Sequence, residues 1–256
     1  MPKNTDTTAT RTKQRRSAAI AAAVAVAAIL LGTVSYTATK PEARTDAADV
    51  SDQQADTTEA KDELTDKLTK LARRDAKDPL AQGRADAPVV LIEYADFKCG
   101  YCGKFARDTE PDLVKKYVDD GTLRIEWRNF PIFGAESTSA ARAAWAAGQQ
   151  GRFWQFHKAA YADGAKDKGF GADRLDALAR EAGVKDLDQF RTDLEGKAAQ
   201  AAVKQDSDEA YALGATSTPS FLINGTPIAG AQPEAAFEQA IEAAKEQSAA
   251  KSGGDK

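Results

Sequence analysis

One apolar segment that runs straight into two closely spaced cysteines constrains the fold of this chain more than any other feature. The segment APVVLIEYADF, residues 87–97, is almost continuously apolar and rich in β-branched residues, which predicts a buried central strand. Cys99 and Cys102 follow at once and are the only cysteines in 256 residues. The sequence therefore predicts a sheet whose central strand delivers two thiols to the start of a helix.

The remaining pattern completes an α/β fold. GKFARDTEPDLVKKYVDDG predicts a helix that Pro111 kinks or restarts and Gly121 ends. TLRIEWRNFP alternates and predicts a second strand, residues 136–213 are helix-rich, and Asn224-Gly225 marks a hairpin between two short strands. A last helix begins at Pro233, and the tail 248–256 is expected to be flexible. This order predicts a small sheet with helices on its faces.

Three interpretations of the C-x-x-C pair compete. A structural disulfide would close a very short loop and add little stability, because stabilisation by a cross-link grows with loop length. A structural zinc site needs four cysteine or histidine ligands, and the only other such residue in the chain is His157, which lies among aromatic residues. A redox-active dithiol suits the strand-to-helix position best. We therefore expect thiol–disulfide exchange, with no metal and no cofactor.

The two cysteines have different expected roles. At the start of a helix, the Cys99 sulfur faces unpaired backbone N–H groups and the positive end of the helix dipole, and Lys98 adds a nearby positive charge. Both effects should lower the pKa of Cys99, the predicted nucleophile. Cys102, one turn further on, is expected to be the more buried, resolving thiol.

Glu93 lies inside the apolar strand, six residues before Cys99. A buried carboxylate is costly unless it is paired or used. One interpretation is a proton acceptor for Cys102 whose pKa is raised by desolvation. The other is a strand-edge glutamate paired with a lysine or arginine, and the sequence leaves both open.

The N-terminal region predicts export. Residues 1–16 are basic, and the segment 17–39 carries no charge over a length that can cross a membrane as a helix. The basic flank should stay in the cytoplasm, so the rest of the chain should lie outside. A retained single-pass anchor is favoured over a cleaved signal peptide, because the residues near the end of the segment suit cleavage poorly. After cleavage the protein would be secreted.

The segments that follow predict a tether. Residues 40–60 have almost no large apolar side chains and should form a disordered linker. Residues 61–77 place three leucines at helical spacing, which predicts a short amphipathic helix that docks on the domain or self-associates. The chain beyond residue 40 is acidic, which argues against nucleic acid as a partner.

Three motifs in order resemble the DsbA-like family of thioredoxin-fold disulfide oxidoreductases. They are APVVLIEYADFKCGYCGKF, RIEWRNFP and TSTPSFLINGTPIAG. The resemblance runs over residues 78–247 and implies a thioredoxin-like fold with a helical insertion at about 136–213. It implies that Cys99 attacks, that Cys102 resolves and that Glu93 is the buried acid. It also implies a cis peptide bond between Thr218 and Pro219, with the Thr218 backbone pairing with substrate as an added strand.

The residues between the cysteines leave the direction of electron flow open. The pair Gly100-Tyr101 departs from the proline and histidine of strongly oxidising members, and with Thr218 it also resembles disulfide isomerases. These residues tune the stability of the thiolate, and an exposed Tyr101 would contact substrate. We expect an extracytoplasmic oxidase that acts on exported unfolded or reduced proteins and is regenerated by a membrane redox partner. An isomerase, a reductase and a redox-inert chaperone or binding module are the alternatives.

Overall fold

A five-stranded mixed sheet forms the centre of residues 60–253, the part of the chain that this computed structural model describes. In sequence order its strands are β1 (Ala81–Gln82), β2 (Val89–Ala95), β3 (Leu123–Asn129), β4 (Ser220–Ile223) and β5 (Thr226–Ala229). In space they run β1-β3-β2-β4-β5, so the predicted central strand is in the middle of the sheet.

The pairing of β2 aligns the carboxyl ends of two strands. β2 runs parallel to β3 and antiparallel to β4, and Leu91 lies opposite Ile125 on one side and Ile223 on the other. β4 and β5 form the predicted hairpin, whose two turn residues, Asn224 and Gly225, have φ angles of 42° and 83°. Positive φ at both positions is what a tight two-residue hairpin turn requires.

Nine α-helices surround the sheet in the described part of the chain. They are α1 (residues 60–69), α2 (Gly100–Asp108), α3 (Glu110–Leu113), α4 (Ala135–Gln149), α5 (Phe153–Ala160), α6 (Ala172–Glu181), α7 (Leu187–Glu195), α8 (Lys197–Ala212) and α9 (Glu234–Gly253). α4 to α8 form the helical block between β3 and β4. Among residues 60–253 no helix combines the length and the apolar composition that crossing a membrane requires. The expected span 17–39 and the linker up to residue 59 lie outside the described residues.

The helix after the cysteines is interrupted where the proline predicts it. α2 ends at Asp108, and α3 starts at Glu110 with Pro111 in its first turn, where the missing backbone N–H costs nothing. A wide π-type turn, Val114–Val118, follows, and Gly121 with φ of 83° ends the helical region. Gly148, by contrast, does not break a helix: it lies inside α4, where an added Cβ would lie 3.1 Å from Leu80 Cδ1.

The two faces of the sheet belong to different apolar clusters. Val89 and Leu91 pack with Phe105 of α2, Leu113 of α3 and Phe237 of α9. Alternate residues of β2 face the other side: Val90, Ile92 and Tyr94. A third cluster fills the space between the sheet edge and the helical block. Since side chains alternate along a strand, Glu93 shares the face of Leu91, towards α2 and α3.

β3 differs from its sequence pattern, because all seven of its residues are buried, including its charged ones. The Glu126 carboxylate accepts hydrogen bonds of 2.8 Å from Arg124 Nε and from Arg128 Nη2. It also accepts backbone N–H bonds from Arg73, at 2.9 Å, and Arg74, at 2.8 Å. The polar face of β3 is therefore covered by a segment more than 50 residues earlier in the chain.

The N-terminal helix is shorter than expected. Residues 60–69 are helical, whereas the sequence predicts a helix over 61–77. The helix ends because Arg73 and Arg74 turn their backbone N–H groups to Glu126, and Arg74 takes a φ of 49°. Leu68 and Leu71 pack against the cluster that contains Val90, so this segment docks on the sheet.

The C-terminal tail also differs from expectation. Residues 248–253 continue α9 rather than forming a flexible tail, and residues 254–256 lie outside the described part. The Ser248 hydroxyl donates to the carbonyl of Pro88 at 3.0 Å, and Lys251 Nζ pairs with Asp66 at 2.9 Å. These contacts give the last turns of α9 a fixed place beside α1.

Candidate active site

The loop between β2 and α2 is organised by Asp96, a residue that the sequence analysis did not single out. Asp96 is buried, and its Oδ1 accepts the Lys98 N–H at 2.8 Å. Its Oδ2 accepts the N–H groups of Ile132 at 2.7 Å and Phe133 at 3.1 Å, just after β3. Its backbone carbonyl accepts the Cys99 N–H at 2.9 Å. Asp96 thus joins the carboxyl ends of β2 and β3 at the point where the cysteines begin.

Cys99 is the N-cap residue of α2. Its φ and ψ of −73° and 120° are extended, and its sulfur accepts the backbone N–H of Cys102 at 3.4 Å. Both cysteines are thiols in this structure. A hydrogen bond from the Cys102 thiol, aided by the backbone N–H groups of Cys102 and Tyr101, outweighs burial and lowers the pKa of Cys99 to about 6.

Cys102 has the opposite electrostatic environment. Its side chain is fully buried, and burial raises its pKa well above the usual value for a thiol. The nearby Cys99 and Glu93 act in the same direction. At neutral pH the pair therefore consists of one thiolate and one neutral thiol within hydrogen-bonding distance, which is the arrangement that exchange through a mixed disulfide requires.

The loop before β4 completes the site. The peptide bond between Thr218 and Pro219 is cis. The Cys99 thiol donates a hydrogen bond to the Thr218 carbonyl oxygen at 3.1 Å. The buried Thr218 hydroxyl has no hydrogen-bond partner among the described residues. The structure thus brings Thr218 to the two cysteines, although it lies 119 residues after Cys99 in the chain.

Glu93 is fully buried, and neither of its carboxylate oxygens has a partner in the described part of the chain. Burial raises its pKa well above the ordinary value, and the charges of Glu110 and Cys99 raise it further. No lysine or arginine of the described chain pairs with it, as the edge-strand interpretation would have required. Glu93 is thus a buried acid with a raised pKa, and its charge acts on Cys102.

Glu110 is a second buried acid that sequence reasoning missed. It begins α3, and its Oε1 accepts a hydrogen bond from Gln82 Nε2 at 2.9 Å. Its Oε2 lies 3.7 Å from Nδ1 of His157, which is buried among aromatic rings. Burial raises the pKa of Glu110 and lowers that of His157 to about 3. A glutamate next to Pro111 resembles an ordinary first-turn acid, so the sequence carries no signal for its burial.

Lys98 is not positioned as the sequence suggests. Its ammonium group pairs with Glu136 at 2.8 Å, and the main causes that lower the pKa of Cys99 are hydrogen bonds rather than the charge of Lys98. Another cation lies near the nucleophile, because a Cβ added to Gly100 would meet Lys166 Nζ at 3.2 Å. Tyr101 is 69% exposed, beside the pair.

An open cavity of about 410 Å³ adjoins Cys99. Gly100, Gly103 and Phe97 contribute to its wall from the cysteine side, and Tyr161 and Lys166 from the helical block. The cavity borders Cys99, a residue that is only 5% exposed. Among residues 60–253 no group of three or more histidines, cysteines or acids is placed to hold a metal ion.

Comparison with curated proteins assigns this site to a family. A family model described as thioredoxin matches residues 74–243. The probable disulfide bond formation protein D of Bacillus cereus is 34% identical over 148 residues, which make up 56% of this chain and 68% of that protein. The Na(+)/H(+) antiporter NhaA 3 of Salinispora tropica is 35% identical over 150 residues, which cover 56% of this chain but only 21% of the antiporter.

Solved structures agree with this assignment. Oxidised BdbD from Bacillus subtilis superimposes with a TM-score of 0.62 at 23% identity, covering 67% of this chain and 95% of that one, which shows the shared fold. Wolbachia pipientis alpha-DsbA1 superimposes with a TM-score of 0.58 at 25% identity, covering 67% and 93%. The fold is thioredoxin-like with a helical insertion, as the sequence motifs imply. The chain belongs to the DsbA-like family of thioredoxin-fold thiol:disulfide oxidoreductases.

Proposed function

We propose that this enzyme is an extracytoplasmic oxidase that donates the disulfide between Cys99 and Cys102 to exported proteins. The observation that carries the proposal is the pKa difference within the pair: lowered to about 6 for Cys99 and raised by burial for Cys102. A stabilised Cys99 thiolate favours the reduced form of the enzyme, and an enzyme whose reduced form is favoured tends to oxidise its substrates.

The proposed reaction has two steps. A substrate thiolate attacks Cys99 Sγ, the bond to Cys102 breaks, and the electron pair moves to Cys102. Because burial disfavours a Cys102 thiolate, Glu93 gives it a proton. A second substrate thiolate then attacks the substrate sulfur of the mixed disulfide and releases Cys99 as a thiolate. The substrate gains a disulfide, and the enzyme becomes a dithiol.

Substrate binding is proposed at the rim around Cys99. The Thr218 backbone, beside Pro219, would pair with an extended substrate segment, and Tyr101 would contact its side chains. Tyr101 and Phe133 are 69% and 50% exposed, and the backbone N–H of Phe133 donates to Asp96 Oδ2 at 3.1 Å. Exposed aromatic side chains of this kind suit the apolar segments that unfolded proteins present.

Location and regeneration are proposed from the N-terminal sequence. The uncharged segment 17–39 would anchor the enzyme in the cell membrane with its N-terminus in the cytoplasm, or would be removed on secretion. Net oxidation of substrates requires an electron acceptor, so a membrane redox partner would reoxidise the dithiol. Processing can be measured by mass spectrometry of the N-terminus of the mature protein from cells.

The test of the oxidase role is the oxidation of a reduced, unfolded substrate together with the equilibrium against glutathione. We expect wild-type enzyme to form the disulfide of the substrate and Cys99→Ser to be inactive. Survival of that activity in Cys99→Ser would contradict the assignment of the nucleophile. A markedly reducing equilibrium would leave the exchange chemistry in place but exclude the oxidase direction.

The same equilibrium tests an isomerase or reductase role, which Gly100-Tyr101 between the cysteines also suggests. The Cys99 pKa of about 6 is closer to thioredoxin, at about 7, than to the strong oxidant DsbA, at about 3.5. An isomerase would reshuffle a scrambled substrate faster than it oxidises a reduced one.

A further inference from the structure

A second buried carboxylic acid lies between the resolving thiol and an open cavity. Glu110 starts α3, on the face of the sheet towards which Glu93 points from β2. Its charge is one of the groups that act on Glu93, while the charge of Glu93 acts on Cys102. Cys102, Glu93 and Glu110 are therefore three buried titratable groups that are linked electrostatically in this order.

Glu110 is also the one of these three groups that reaches open space. It lines a cavity of about 480 Å³ together with Gln82, His157 and Trp154. Glu93 and Cys102 do not line this cavity, and the carboxylate of Glu93 is completely enclosed. A proton that leaves Glu93 towards this cavity meets Glu110 first.

The two oxygens of Glu110 have different partners. Oε1 is fixed by the amide of Gln82 at 2.9 Å. Oε2 makes no hydrogen bond in the described part of the chain, and its nearest ionisable atom is His157 Nδ1 at 3.7 Å. Because a carboxylic acid carries its proton on one oxygen, Oε2 is the atom left to gain and lose it.

We propose that Glu110 passes protons between Glu93 and this cavity, so that Cys102 exchanges its proton with solvent by way of two carboxyl groups. The inference rests on the proposed role of Glu93 as the proton partner of Cys102. Glu110 touches neither substrate nor sulfur, and it acts only through Glu93.

The proton balance is complete without a co-reactant. When a thiolate attacks Cys99 Sγ, the disulfide breaks, Cys102 takes the electron pair, and the Glu93 proton moves to Cys102 Sγ. Glu110 then returns a proton to Glu93 and takes one from water in the cavity. In the reverse direction, the same steps carry the Cys102 proton outward.

Other titratable groups face Glu110 from each neighbouring element. They are Arg107 on α2, His157 and Lys158 on α5, Tyr161 at the end of α5, and Glu93 on β2. Arg107 is already bound, since its Nη1 donates to the Tyr161 carbonyl at 2.8 Å. Burial lowers the pKa of His157 to about 3, so at neutral pH its ring is uncharged and Glu110 has no ion-pair partner there.

The test measures how fast excess dithiothreitol reduces the enzyme disulfide in a single turnover. Acid quenching followed by alkylation counts the thiols formed, and rates are recorded from about pH 5 to 9 with and without formate, a small acid that fits the cavity. Proton transfer by a correctly positioned side chain typically raises a reaction rate by about 10²- to 10⁴-fold. Glu93→Gln should therefore slow reduction of the disulfide about a hundredfold. If the relay operates, Glu110→Gln should lower the plateau of the pH–rate profile about tenfold, and formate should restore the wild-type rate.

Glu238→Gln, at an exposed ion pair with Lys116, is the matched control and should react like the wild type. Glu110→Gln could instead keep the plateau rate of reduction and only shift the midpoint of the pH–rate profile. Glu110 would then be only an electrostatic neighbour of Glu93, and the relay would be overturned. A loss that formate does not restore would make Glu110 structural and overturn it as well. If Glu110→Gln does not fold, Glu110→Asp serves instead, with a smaller loss that formate must still restore.

The test separates this inference from the proposed function. Dithiothreitol reduction needs only a reactive Cys99–Cys102 disulfide, so it is independent of the natural substrate and of the direction of electron flow. Equal rates for wild type, Glu110→Gln and Glu93→Gln would exclude both acids from proton transfer. The oxidase assignment would still be decided by the Cys99→Ser result and by the equilibrium against glutathione.

Discussion

The sulfur of Cys99 lies 3.1 Å from the carbonyl oxygen of Thr218, although 119 residues separate the two positions in the chain. The contact joins the start of α2 to the loop before β4, on either side of the helical block. It is possible because β2 pairs directly with β4, so the end of one strand meets the beginning of the other. The sheet pairing, rather than local sequence, therefore sets the surroundings of the nucleophile.

The first prediction concerns the Cys99 pKa. Removing the thiol donor in Cys102→Ala should raise this pKa above about 6, because the hydrogen bond from Cys102 is the largest of the effects that lower it. Cys102→Ser keeps a hydroxyl donor and should stay closer to the wild type. The pH dependence of alkylation by iodoacetamide measures both. An equal pKa in all three proteins would contradict the assigned cause.

The second prediction concerns Glu93 and alkaline pH. Its pKa is raised in the folded state, so the folded protein keeps a proton that the unfolded chain releases above about pH 4.5. Stability must fall as pH rises through this window, by up to about 1.4 kcal/mol per pH unit for one proton. Glu93→Gln should therefore be more stable than the wild type at about pH 8 and similar below about pH 4.5.

Urea unfolding of the reduced proteins at several pH values measures this difference. Glu238→Gln, at the surface, should follow the wild-type curve. A Glu93→Gln variant that is less stable at alkaline pH would show that the carboxyl group has a stabilising partner in solution.

The third prediction concerns the charged residues of β3. Glu126→Gln leaves Arg124 and Arg128 buried without their shared carboxylate, and such a loss typically costs about 3–5 kcal/mol. Glu238→Gln, which removes an exposed ion pair, should change the free energy of unfolding by less than about 1 kcal/mol. Equal effects of the two substitutions in urea unfolding would exclude a structural role for the buried cluster.

The Glu126 substitution should also change the response to acid. Burial raises the pKa of Glu126, but hydrogen bonds from Arg124 and Arg128 outweigh it and lower the pKa to about 2. The stability that this group contributes is present above about pH 4.5 and is lost as pH falls towards 2. In Glu126→Gln this part of the acid dependence should be absent.

The fourth prediction compares two glycines with similar backbone strain. Gly225 and Gly214 have φ angles of 83° and 77°, so alanine at either should cost about 1–2 kcal/mol. A Cβ at Gly225 would also lie 2.3 Å from the Thr65 carbonyl oxygen in α1, whereas at Gly214 nothing lies within 4 Å. Gly225→Ala should therefore lose more stability and expose α1 to proteases, and Gly214→Ala should leave α1 protected. Limited proteolysis followed by mass spectrometry distinguishes the two.

The parts of the site that depend on neighbouring residues can be predicted from the sequence. A β-branched run followed by C-x-x-C predicts both the central strand and the helix start that places Cys99, because strand and cap formation depend on neighbouring residues. The Asn224-Gly225 turn is equally local. The cis bond before Pro219 enters only through the family resemblance, since the residues TSTPS alone indicate no more than a turn.

Contacts between residues that are far apart in the chain could not be predicted from the sequence. The alternation in β3 suggests that Arg124, Glu126 and Arg128 face solvent, yet they are buried by segments that are far away in the chain. Glu110 and Asp96 were missed for the same reason, because their partners come from α5, β1 and the loop after β3. The ion pair of Lys98 with Glu136 was not predicted either, since the two residues are 38 positions apart in the chain.

The buried charges of β3 make the helical block and the sheet mutually dependent. Asp206 of α8 binds Asn129 and Arg73, and Glu209 accepts hydrogen bonds from Tyr94 and Arg128. Replacing residues 135–212 by a short linker would leave Arg73 without its counterion and Arg128 with Glu126 alone. Engineers who wish to transplant the block onto another thioredoxin scaffold would have to transfer the strand charges with it, so the two parts should evolve as one unit.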